Sequence, residues 1–435
     1  MKQNEIINDS IKYVWHPCSQ MHNYDEKNLK AIKYAKGSWL FDYDGKKYFD
    51  GVSSWWVNIF GHNNSYISKK IKEQLDQFEH VMLAGMTHLP VVELSKKLTQ
   101  LTNLHHCLYG SDGSNAIEIA IKLSVHYWKN SNQPKKIKFA YLENSYHGET
   151  IGALSVTDVS LFRKNYSPLL KKNIVLPSPS ANFYKTKKTD KDFAVEQFKK
   201  AEKILKANKN ELAAVLIEPC VQCAAGMHIY HPIYIRLISE LCKQLDIHFI
   251  VDEIAVGFGR TGTFFGYQHG GKNIRPDMVC VSKGLTGGYL PLSATIVNEK
   301  IYQSFLSDDF KKGFLHSHSY TGNPLACTAA NATIDLFTSK HVIKKNIIKS
   351  KLFDEILCQL KKFKIKQYQN VGMIWRFNLP EKIDKQEFVK DMLHENVLLR
   401  PIGNTIYLMP PYSTSIADIR RVYNSFRKVF LKLTK

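Results

Sequence analysis

Two short segments place a lysine and an acid where they could act on the same bound molecule. VSKGLTGGYLPLSA (281–294) puts Lys283 after an apolar run, and DEIAVGFGRTG (252–262) puts Asp252 after another. A lysine in a dry cleft can lose its proton and attack a carbonyl carbon, forming a Schiff base. A buried acid can keep a pyridine nitrogen protonated, so that the ring withdraws electrons. These are two of the three functions that pyridoxal phosphate (PLP) needs from a protein.

A third segment, CLYGSDGS (107–114), could supply the phosphate site that PLP also needs. Gly113 and Ser114 open the amphipathic stretch SNAIEIAIKLSVHYW (114–128), and the start of a helix directs N–H groups at an anion. Taken singly, this segment is typical of an ordinary helix cap, Lys283 of a surface charge and Asp252 of a helix cap. Together, with the lysine and the acid each at a strand end, they favour a PLP site.

The elements that must position these residues are short β-branched runs separated by amphipathic stretches. The runs are KFAYL (138–142), AAVLI (213–217), IHFIV (247–251), MVCV (278–281) and SATIV (293–297). This alternation predicts an α/β fold with a mainly parallel, buried sheet, in which ligands bind beyond the carboxyl ends of the strands. The Lys-rich stretch 179–195 is predicted to be an exposed excursion, and residues 330–435 a smaller C-terminal lobe.

Composition excludes several other classes of protein. The 435 residues carry a net charge of +21, but the lysines alternate with acids and apolar residues, which indicates solvated helix faces rather than a nucleic-acid-binding groove. Of the eight cysteines, Cys220 and Cys223 form one CxxC without a second pair, so neither a zinc site nor a disulfide framework is expected. No apolar run approaches the ~20 residues of a membrane span, and the N-terminus lacks a signal-peptide pattern, so we expect a cytoplasmic protein.

Several motifs resemble those of class III aminotransferases, which have PLP fold type I. The similarity rests on DEIAVGFGRTG with SKGLTGG and runs nearly end to end. WHPCSQM (15–21), DGVSSWWVNIFGH (50–62) and RPIGNTIYLMPPY (400–412) resemble those family members that make 7,8-diaminononanoate for biotin. The resemblance implies a large domain with a mainly parallel seven-stranded sheet flanked by helices, plus a smaller α+β domain. We therefore predict an N-terminal segment of the small domain at 1–60, the PLP-binding domain at 61–325 and the C-terminal small domain at 326–435.

The resemblance also implies roles for individual residues towards the cofactor. Lys283 would form the Schiff base, Asp252 would face the pyridine nitrogen, and Tyr146 would stack on the ring, so that these three are the catalytic residues. Ser319 would reach the phosphate from a second subunit, which implies a homodimer with active sites at its interface, and His147 would either assist or simply pack. The implied cofactor-binding residues are Gly113, Ser114, Tyr146, Asp252, Lys283, His318 and Ser319.

For the substrate, the resemblance implies that Trp55 and Trp56 line the aliphatic chain of 8-amino-7-oxononanoate and that Arg400 binds its distant carboxylate. An indole can bury methylene groups and a guanidinium can bind a carboxylate with paired hydrogen bonds, which suits such a substrate. The alternatives are that the tryptophans are core residues and Arg400 a surface ion pair. The implied substrate-binding residues are Trp55, Trp56, Tyr146, Lys283, Ser317, Arg400 and Tyr407.

The amino donor and the exact substrate leave alternatives open at this stage. S-adenosylmethionine is the expected donor, and Ala224, where glutamate-using relatives have a glutamate, argues against glutamate. Lysine is an alternative donor, a diamine aminotransferase is an alternative enzyme, and a basic nucleic-acid-binding protein on the same fold is an alternative of another class. Cys18, Cys223 and Glu149 depart from the family pattern.

Overall fold

In the computed structural model, which describes residues 3–25 and 28–433, the chain divides into two compact units. The smaller unit comprises Met1–Ser65, Lys349–Asn370 and Trp375–Lys435, and the larger comprises Tyr66–Ile348 and Val371–Ile374. The sequence places the domain limits at 60/61 and 325/326, whereas the contacts divide the chain at 65/66 and 348/349. Residues 326–339 belong to a helix that packs within the larger unit, which accounts for most of the second difference.

The described residues form helices and strands throughout the chain. The helices are α1 (Gln3–Tyr13), α2 (Ser53–Trp56), α3 (Ser65–Leu75), α4 (Leu89–Thr102), α5 (Gly113–Asn130), α6 (Ile151–Leu154), α7 (Ser160–Arg163), α8 (Asp190–Asn208), α9 (Ile233–Gln244), α10 (Glu299–Gln303), α11 (Pro324–Ser339), α12 (Val342–Leu357), α13 (Lys385–His394) and α14 (Ile416–Leu433). The strands are β1 (Ile32–Lys36), β2 (Trp39–Asp42), β3 (Lys47–Asp50), β4 (His106–Gly110), β5 (Lys138–Leu142), β6 (Ile174–Leu176), β7 (Leu212–Ile217), β8 (Val221–Gln222), β9 (His228–Ile229), β10 (His248–Asp252), β11 (Met278–Val281), β12 (Ser293–Val297), β13 (Lys366–Val371), β14 (Ile374–Asn378), β15 (Val397–Leu398) and β16 (Thr405–Leu408). None of the described helices is long and apolar enough to cross a membrane.

A seven-stranded sheet organises the larger unit, in the order β4-β12-β11-β10-β7-β5-β6. β12 runs antiparallel to both of its neighbours, and the remaining pairs are parallel. β7, β10, β11 and β12 are buried along their whole length, as expected for strands covered on both faces. The predicted α/β fold with a mainly parallel seven-stranded sheet is confirmed.

The core of the larger unit forms where α5 packs across the middle of this sheet. Ile117, Ala120 and Leu123 lie on one face of α5 and are buried against β11 and β12. Their spacing of three residues puts them on one side of the helix, which explains why the amphipathic pattern after Gly113 was visible in the sequence. This packing fixes the start of α5 at the carboxyl edge of the sheet.

The predicted strands match the observed ones closely, but the predicted exposed excursion at 179–195 is wrong in part. The runs 138–142, 278–281 and 293–297 coincide with β5, β11 and β12, the run 213–217 lacks the first residue of β7, and the run 247–251 is shifted by one residue relative to β10. The stretch 179–195 is not wholly exposed, since residues 179–181 are buried and α8 begins at Asp190 with Phe193 and Ala194 buried. The sequence did not predict the start of this amphipathic helix, because its lysines are many and its apolar positions are few.

The smaller unit combines a four-stranded sheet and a three-stranded sheet with helices. The four-stranded sheet has the order β1-β2-β3-β15 and the three-stranded sheet the order β13-β14-β16. Its aromatic core includes Phe377, Phe388, Phe426 and Phe430, whose ring centroids lie between 5.1 and 6.5 Å apart in the contacting pairs. β3 leads directly into the turn that carries Trp55 and Trp56, Arg400 lies between β15 and β16, and Tyr407 lies within β16.

Candidate active site

Lys283 and Asp252 follow adjacent parallel strands at the carboxyl edge of the large sheet. Asp252 is the last residue of β10, pairs in register with Cys280 of β11, and is buried. Lys283 stands two residues beyond Val281, the end of β11, and is half-buried. Burial lowers the pKa of the Lys283 amine, although attraction to the Asp252 carboxylate opposes that shift. The neutral amine is therefore available at a lower pH than it is for a solvent-exposed lysine.

Two further buried groups surround Asp252. His147 Nδ1 lies 2.7 Å from Asp252 Oδ2. Glu218 comes directly after β7, where Ile217 pairs with Val251, so its carboxyl group emerges beside Asp252. Burial raises the pKa of Glu218 to about 7; His147 opposes this shift, and the negative charge of Asp252 adds to it. Burial thus favours the neutral form of the Glu218 carboxyl group.

Tyr146 is held at both its backbone and its hydroxyl group. Its backbone N–H donates to Glu218 Oε2 at 3.0 Å, and its hydroxyl donates to Glu149 Oε1 at 2.8 Å. Its ring meets the ring of Phe162 at 5.3 Å between centroids. The second oxygen of Glu218 accepts from the backbone N–H of Cys223 at 2.9 Å, so one carboxyl group fixes two loops.

The start of α5 approaches the neighbouring loops more closely than a side chain would allow. Asp112 caps the helix, whose first N–H groups have no acceptor within the helix itself. A Cβ atom on Gly113 would lie 2.8 Å from Ile254 Cγ2, and one on Gly148 would lie 2.3 Å from Ser114 Oγ. Glycine at both positions therefore lets the helix start lie directly against the loops that follow β5 and β10.

The segment Ser317–Ser319 also lies in the larger unit. Ser317 and Ser319 are exposed, and His318 Nδ1 accepts from the backbone N–H of Tyr320 at 3.1 Å. The Ser319 carbonyl oxygen lies 2.8 Å from His80 Nε2. The hydrogen bonds described for this segment connect it to Tyr320 and to the distant His80, and not to Lys283 or Asp252.

In the smaller unit, α2 is a single left-handed turn that carries both tryptophans. The φ angles of Ser53, Ser54, Trp55 and Trp56 are 50°, 47°, 69° and 75°, and ψ is 55° at Ser54 and 45° at Trp55. These values are those of the left-handed helix, which costs L-residues about 1–2 kcal/mol each. Such a conformation persists only where the surrounding structure imposes it.

The turn sends its two indoles into different surroundings. Trp56 is buried, and its Nε1 donates to the Tyr407 hydroxyl at 3.0 Å. Trp55 is 40% exposed, and the Arg400 guanidinium carbon lies 4.5 Å from its ring centroid. Arg400 also donates to the Cys18 carbonyl oxygen at 2.8 Å. An exposed indole face and a fixed guanidinium are what an aliphatic carboxylate requires.

Most of the predicted site residues fall into two groups, one in each unit, while Ser317, His318 and Ser319 belong to neither group. We call Tyr146, His147, Glu218, Asp252 and Lys283 the lysine group, and Trp55, Trp56, Arg400 and Tyr407 the tryptophan cluster. Gly113 and Ser114 adjoin the loops of the lysine group. The larger unit fits PLP, because it offers an amine with a lowered pKa, a buried carboxylate and a glycine-lined helix start.

Sequence reasoning missed Glu218 and did not decide between assistance and packing for His147. Glu218 follows the apolar run 213–217 directly, as Asp252 follows the next one, so the same strand-end rule would have found it. The link between His147 and Asp252 joins residues 105 positions apart, and no local pattern predicts it.

Comparison with known proteins gives a consistent family. The family model for aminotransferase class-III matches residues 21–430. The chain is 43% identical to the adenosylmethionine-8-amino-7-oxononanoate aminotransferase of Helicobacter pylori, over 100% of this chain and 99% of that protein. The crystal structure of the protein of that name from Methanocaldococcus jannaschii aligns with a TM-score of 0.89 at 34% identity, covering 98% of this chain and 99% of the other. An amine transaminase from an uncultivated Pseudomonas species, solved in its PLP-bound form, aligns with a TM-score of 0.90 at 26% identity over 97% and 98% of the two chains.

Proposed function

The chain belongs to the class III aminotransferase family, and from that premise we propose that it converts 8-amino-7-oxononanoate to 7,8-diaminononanoate, a biotin precursor. PLP is the cofactor and S-adenosylmethionine is the amino donor. The observation that carries the reaction type is the half-buried Lys283 amine, with its lowered pKa, beside the buried Asp252 carboxylate. The names of the full-length relatives supply the acceptor and the donor.

We assign the residues that hold PLP from the predicted roles and from the observed surroundings. Lys283 holds the aldehyde end, Asp252 the ring nitrogen, and Tyr146 one face of the ring. The start of α5 at Gly113 and Ser114 holds the phosphate, because its N–H groups and helix dipole favour an anion. When bound, PLP supplies a carbonyl carbon for amine exchange and a ring that withdraws electrons.

The protein's own groups then divide the proton transfers and the charge between them. Once amine exchange has freed it, Lys283 Nζ would take a proton from the donor carbon and return one later, and its lowered pKa increases the share of neutral amine that can act as a base. His147 Nδ1, 2.7 Å from Asp252 Oδ2, holds the Asp252 carboxyl group in one orientation. Glu218 fixes the backbone of Tyr146 and thereby helps to position the Tyr146 ring. The two substrates react in turn, in a ping-pong sequence.

For the acceptor, we propose that the tryptophan cluster recognises the end remote from the reacting ketone. Arg400 binds the carboxylate, while Trp55 and Trp56 contact the methylene chain and Tyr407 orients Trp56. Each buried methylene contributes about 0.8 kcal/mol, so a polymethylene chain adds substantially to binding. Ser317, Tyr146 and Lys283 complete the proposed substrate-binding set.

We further propose that the protein is a homodimer in the cytoplasm and that Ser319 acts on the phosphate site of the second copy, with His318 beside it. The exposure of Ser319 supports this proposal. Mixing Lys283→Ala with Ser319→Asp chains tests it, since a mixed dimer then keeps one intact site. We expect about a quarter of wild-type activity after random exchange, because half of the dimers are mixed. Complete inactivity of the mixture would show that Ser319 serves its own chain.

Isotope transfer tests the proposed reaction most simply. S-adenosylmethionine labelled with ¹⁵N at its α-amino group is incubated with the PLP-loaded protein and 8-amino-7-oxononanoate, and the product is analysed by mass spectrometry. We expect the label on carbon 7 of 7,8-diaminononanoate, with labelled lysine and putrescine as matched controls that give none. Label from lysine alone would contradict the assignment of S-adenosylmethionine as the donor. Label from none of the three amines would contradict the assignment of the acceptor as well.

A further inference from the structure

The strained turn α2 is held in place by a buried carboxylate that none of the assigned roles uses. Asp50, the last residue of β3, is fully buried. Its Oδ1 accepts from the backbone N–H of Ser54 at 2.9 Å and of Val52 at 3.4 Å. Its Oδ2 accepts from the Ser54 hydroxyl at 2.8 Å and lies 2.9 Å from His62 Nε2. A single side chain therefore binds Ser54 within the turn and Val52 just before it, while His62 contacts the same carboxyl group.

Asp50 binds the middle of the turn, whereas other hydrogen bonds bind its first and last residues. Ser53 Oγ donates to the Met409 carbonyl oxygen at 2.7 Å, and Trp56 Nε1 donates to the Tyr407 hydroxyl. These two contacts fix the first and last residues of the turn to the segment at and after β16. Ser54, between them, is bound through both its backbone N–H and its hydroxyl group by Asp50.

The left-handed turn determines which tryptophan is presented to solvent. Trp56 is 5% exposed and Trp55 is 40% exposed, and it is Trp55 that meets the Arg400 guanidinium. A turn that relaxed to the right-handed conformation would rotate Trp55 away from its present position, because the direction of each Cβ follows φ and ψ. The relation between Trp55 and Arg400 therefore depends on the strained backbone.

We propose that Asp50 is a positioning residue for acceptor specificity: it locks the left-handed turn so that Trp55 and Arg400 together receive the aliphatic chain and the carboxylate of the acceptor. This inference rests on the proposed function for the identity of the acceptor. Asp50 does not touch the substrate in this account and acts through Ser54 and Trp55. His62 supports it by orienting the carboxylate.

Asp50→Asn is the direct test, and Asp42→Asn is its matched control. Asp42 is a buried strand-end carboxylate of the same unit that accepts from two backbone N–H groups and from the Tyr48 hydroxyl. For Asp50→Asn we expect the KM for 8-amino-7-oxononanoate to rise about 10- to 100-fold with kcat changed by less than about threefold, because hydrogen bonds to a charged group are lost. Asp42→Asn should leave this KM unchanged, and both variants should keep the visible absorption band of bound PLP.

A glycine substitution distinguishes turn geometry from any other effect of the charge. Glycine adopts positive φ without strain, so Ser54→Gly added to Asp50→Asn should reverse most of the rise in KM. The near-ultraviolet circular dichroism of the indoles should change in Asp50→Asn and return in the double variant. Ser54→Ala, which removes only the hydroxyl contact, should raise the KM in the same direction but by a smaller factor, and it serves if Asp50→Asn does not fold.

Two results would overturn the inference. The first is an equal KM for Asp50→Asn and Asp42→Asn. The second is a rise in KM in Asp50→Asn that the added Ser54→Gly substitution does not reduce. Failure of the proposed function is distinguishable, because a wild-type protein inactive on 8-amino-7-oxononanoate would still show the circular dichroism change and its reversal by glycine.

Discussion

The lysine group and the tryptophan cluster are built by different means. In the larger unit, Asp252 ends β10 and Glu218 directly follows the adjacent parallel strand β7, and within the lysine group Lys283 alone has a positive φ, 44°. In the smaller unit, Trp55 and Trp56 are the last two of four successive residues with positive φ. The first arrangement is stabilised by a buried sheet, and the second by side-chain hydrogen bonds to one turn.

This difference suggests how chemistry and specificity are divided within the chain. The carboxyl edge of the parallel sheet brings together the buried carboxyl groups of Asp252 and Glu218 and the amine of Lys283, and burial raises the pKa of Glu218 and lowers that of Lys283. In the proposed function, the turn and Arg400 instead supply the shape and the charge that select the acceptor. Variants in the lysine group should therefore affect every substrate, and variants in the tryptophan cluster mainly the acceptor.

Lys283→Ala should give the largest effect in the lysine group. We expect kcat to fall by about 10⁴-fold or more with every donor and acceptor, because the proton carrier and the cofactor attachment are both lost. Steady-state rates with S-adenosylmethionine measure it, and Lys272→Ala, at an exposed lysine of the same unit, is the control. A residual rate within a hundredfold of wild type would remove Lys283 from the mechanism.

Asp252→Asn should follow, with kcat lowered about 10³-fold for both half-reactions, since a preorganised charge is removed from the site. Stopped-flow measurement of each half-reaction separates this loss from a binding defect. If only the acceptor half-reaction slowed, the division between the two groups of residues would be wrong.

Arg400→Ala should show the contrasting pattern in the tryptophan cluster. We expect kcat/KM for the acceptor to fall about 100-fold and the donor half-reaction to stay within about threefold of wild type, because a charge-assisted contact to the carboxylate is lost. The methyl ester of the acceptor should show the same loss with the wild-type protein and no further loss with the variant. Arg420→Ala, on α14 of the same unit, is the matched control, and an equal loss there would contradict the assignment.

Glu218→Gln should change the pH dependence of stability. The folded-state pKa of Glu218, about 7, is raised above its usual value by burial, so the stability that its neutral form provides is present at low pH and lost as the pH rises through 7. Replacing it with glutamine should remove a fall of about 2–3 kcal/mol in the free energy of unfolding between pH 5 and 8.5. Urea unfolding at these two pH values measures the difference. Parallel curves for the variant and the wild type would show that Glu218 is already charged at low pH.

The sequence was sufficient for the sheet and for the residues at its edge, because both depend on local patterns. Apolar runs marked β5, β7, β10, β11 and β12, and the polar residue after a run identified Asp252 and Lys283. The resemblance to a known family added Trp55 and Arg400. These predictions needed only periodicity, strand ends and short motifs.

What the sequence did not predict depends on contacts between distant positions or on burial. The left-handed conformation of Ser53–Trp56 has no signal in residue types that ordinarily avoid positive φ, and it is imposed in part by Met409 and Tyr407. The raised pKa of Glu218 arises from the surrounding fold rather than from its neighbours in the chain. The helix α8 was hidden by its lysines.

Anaerobic visible spectroscopy of the PLP-loaded protein tests the central claim most directly. S-adenosylmethionine is added without acceptor while the absorption band of the bound cofactor is followed, and 8-amino-7-oxononanoate is added afterwards. The account predicts that the donor bleaches the band and that the acceptor restores it, once per active site. A band that S-adenosylmethionine leaves unchanged, or that 8-amino-7-oxononanoate does not restore, would contradict it.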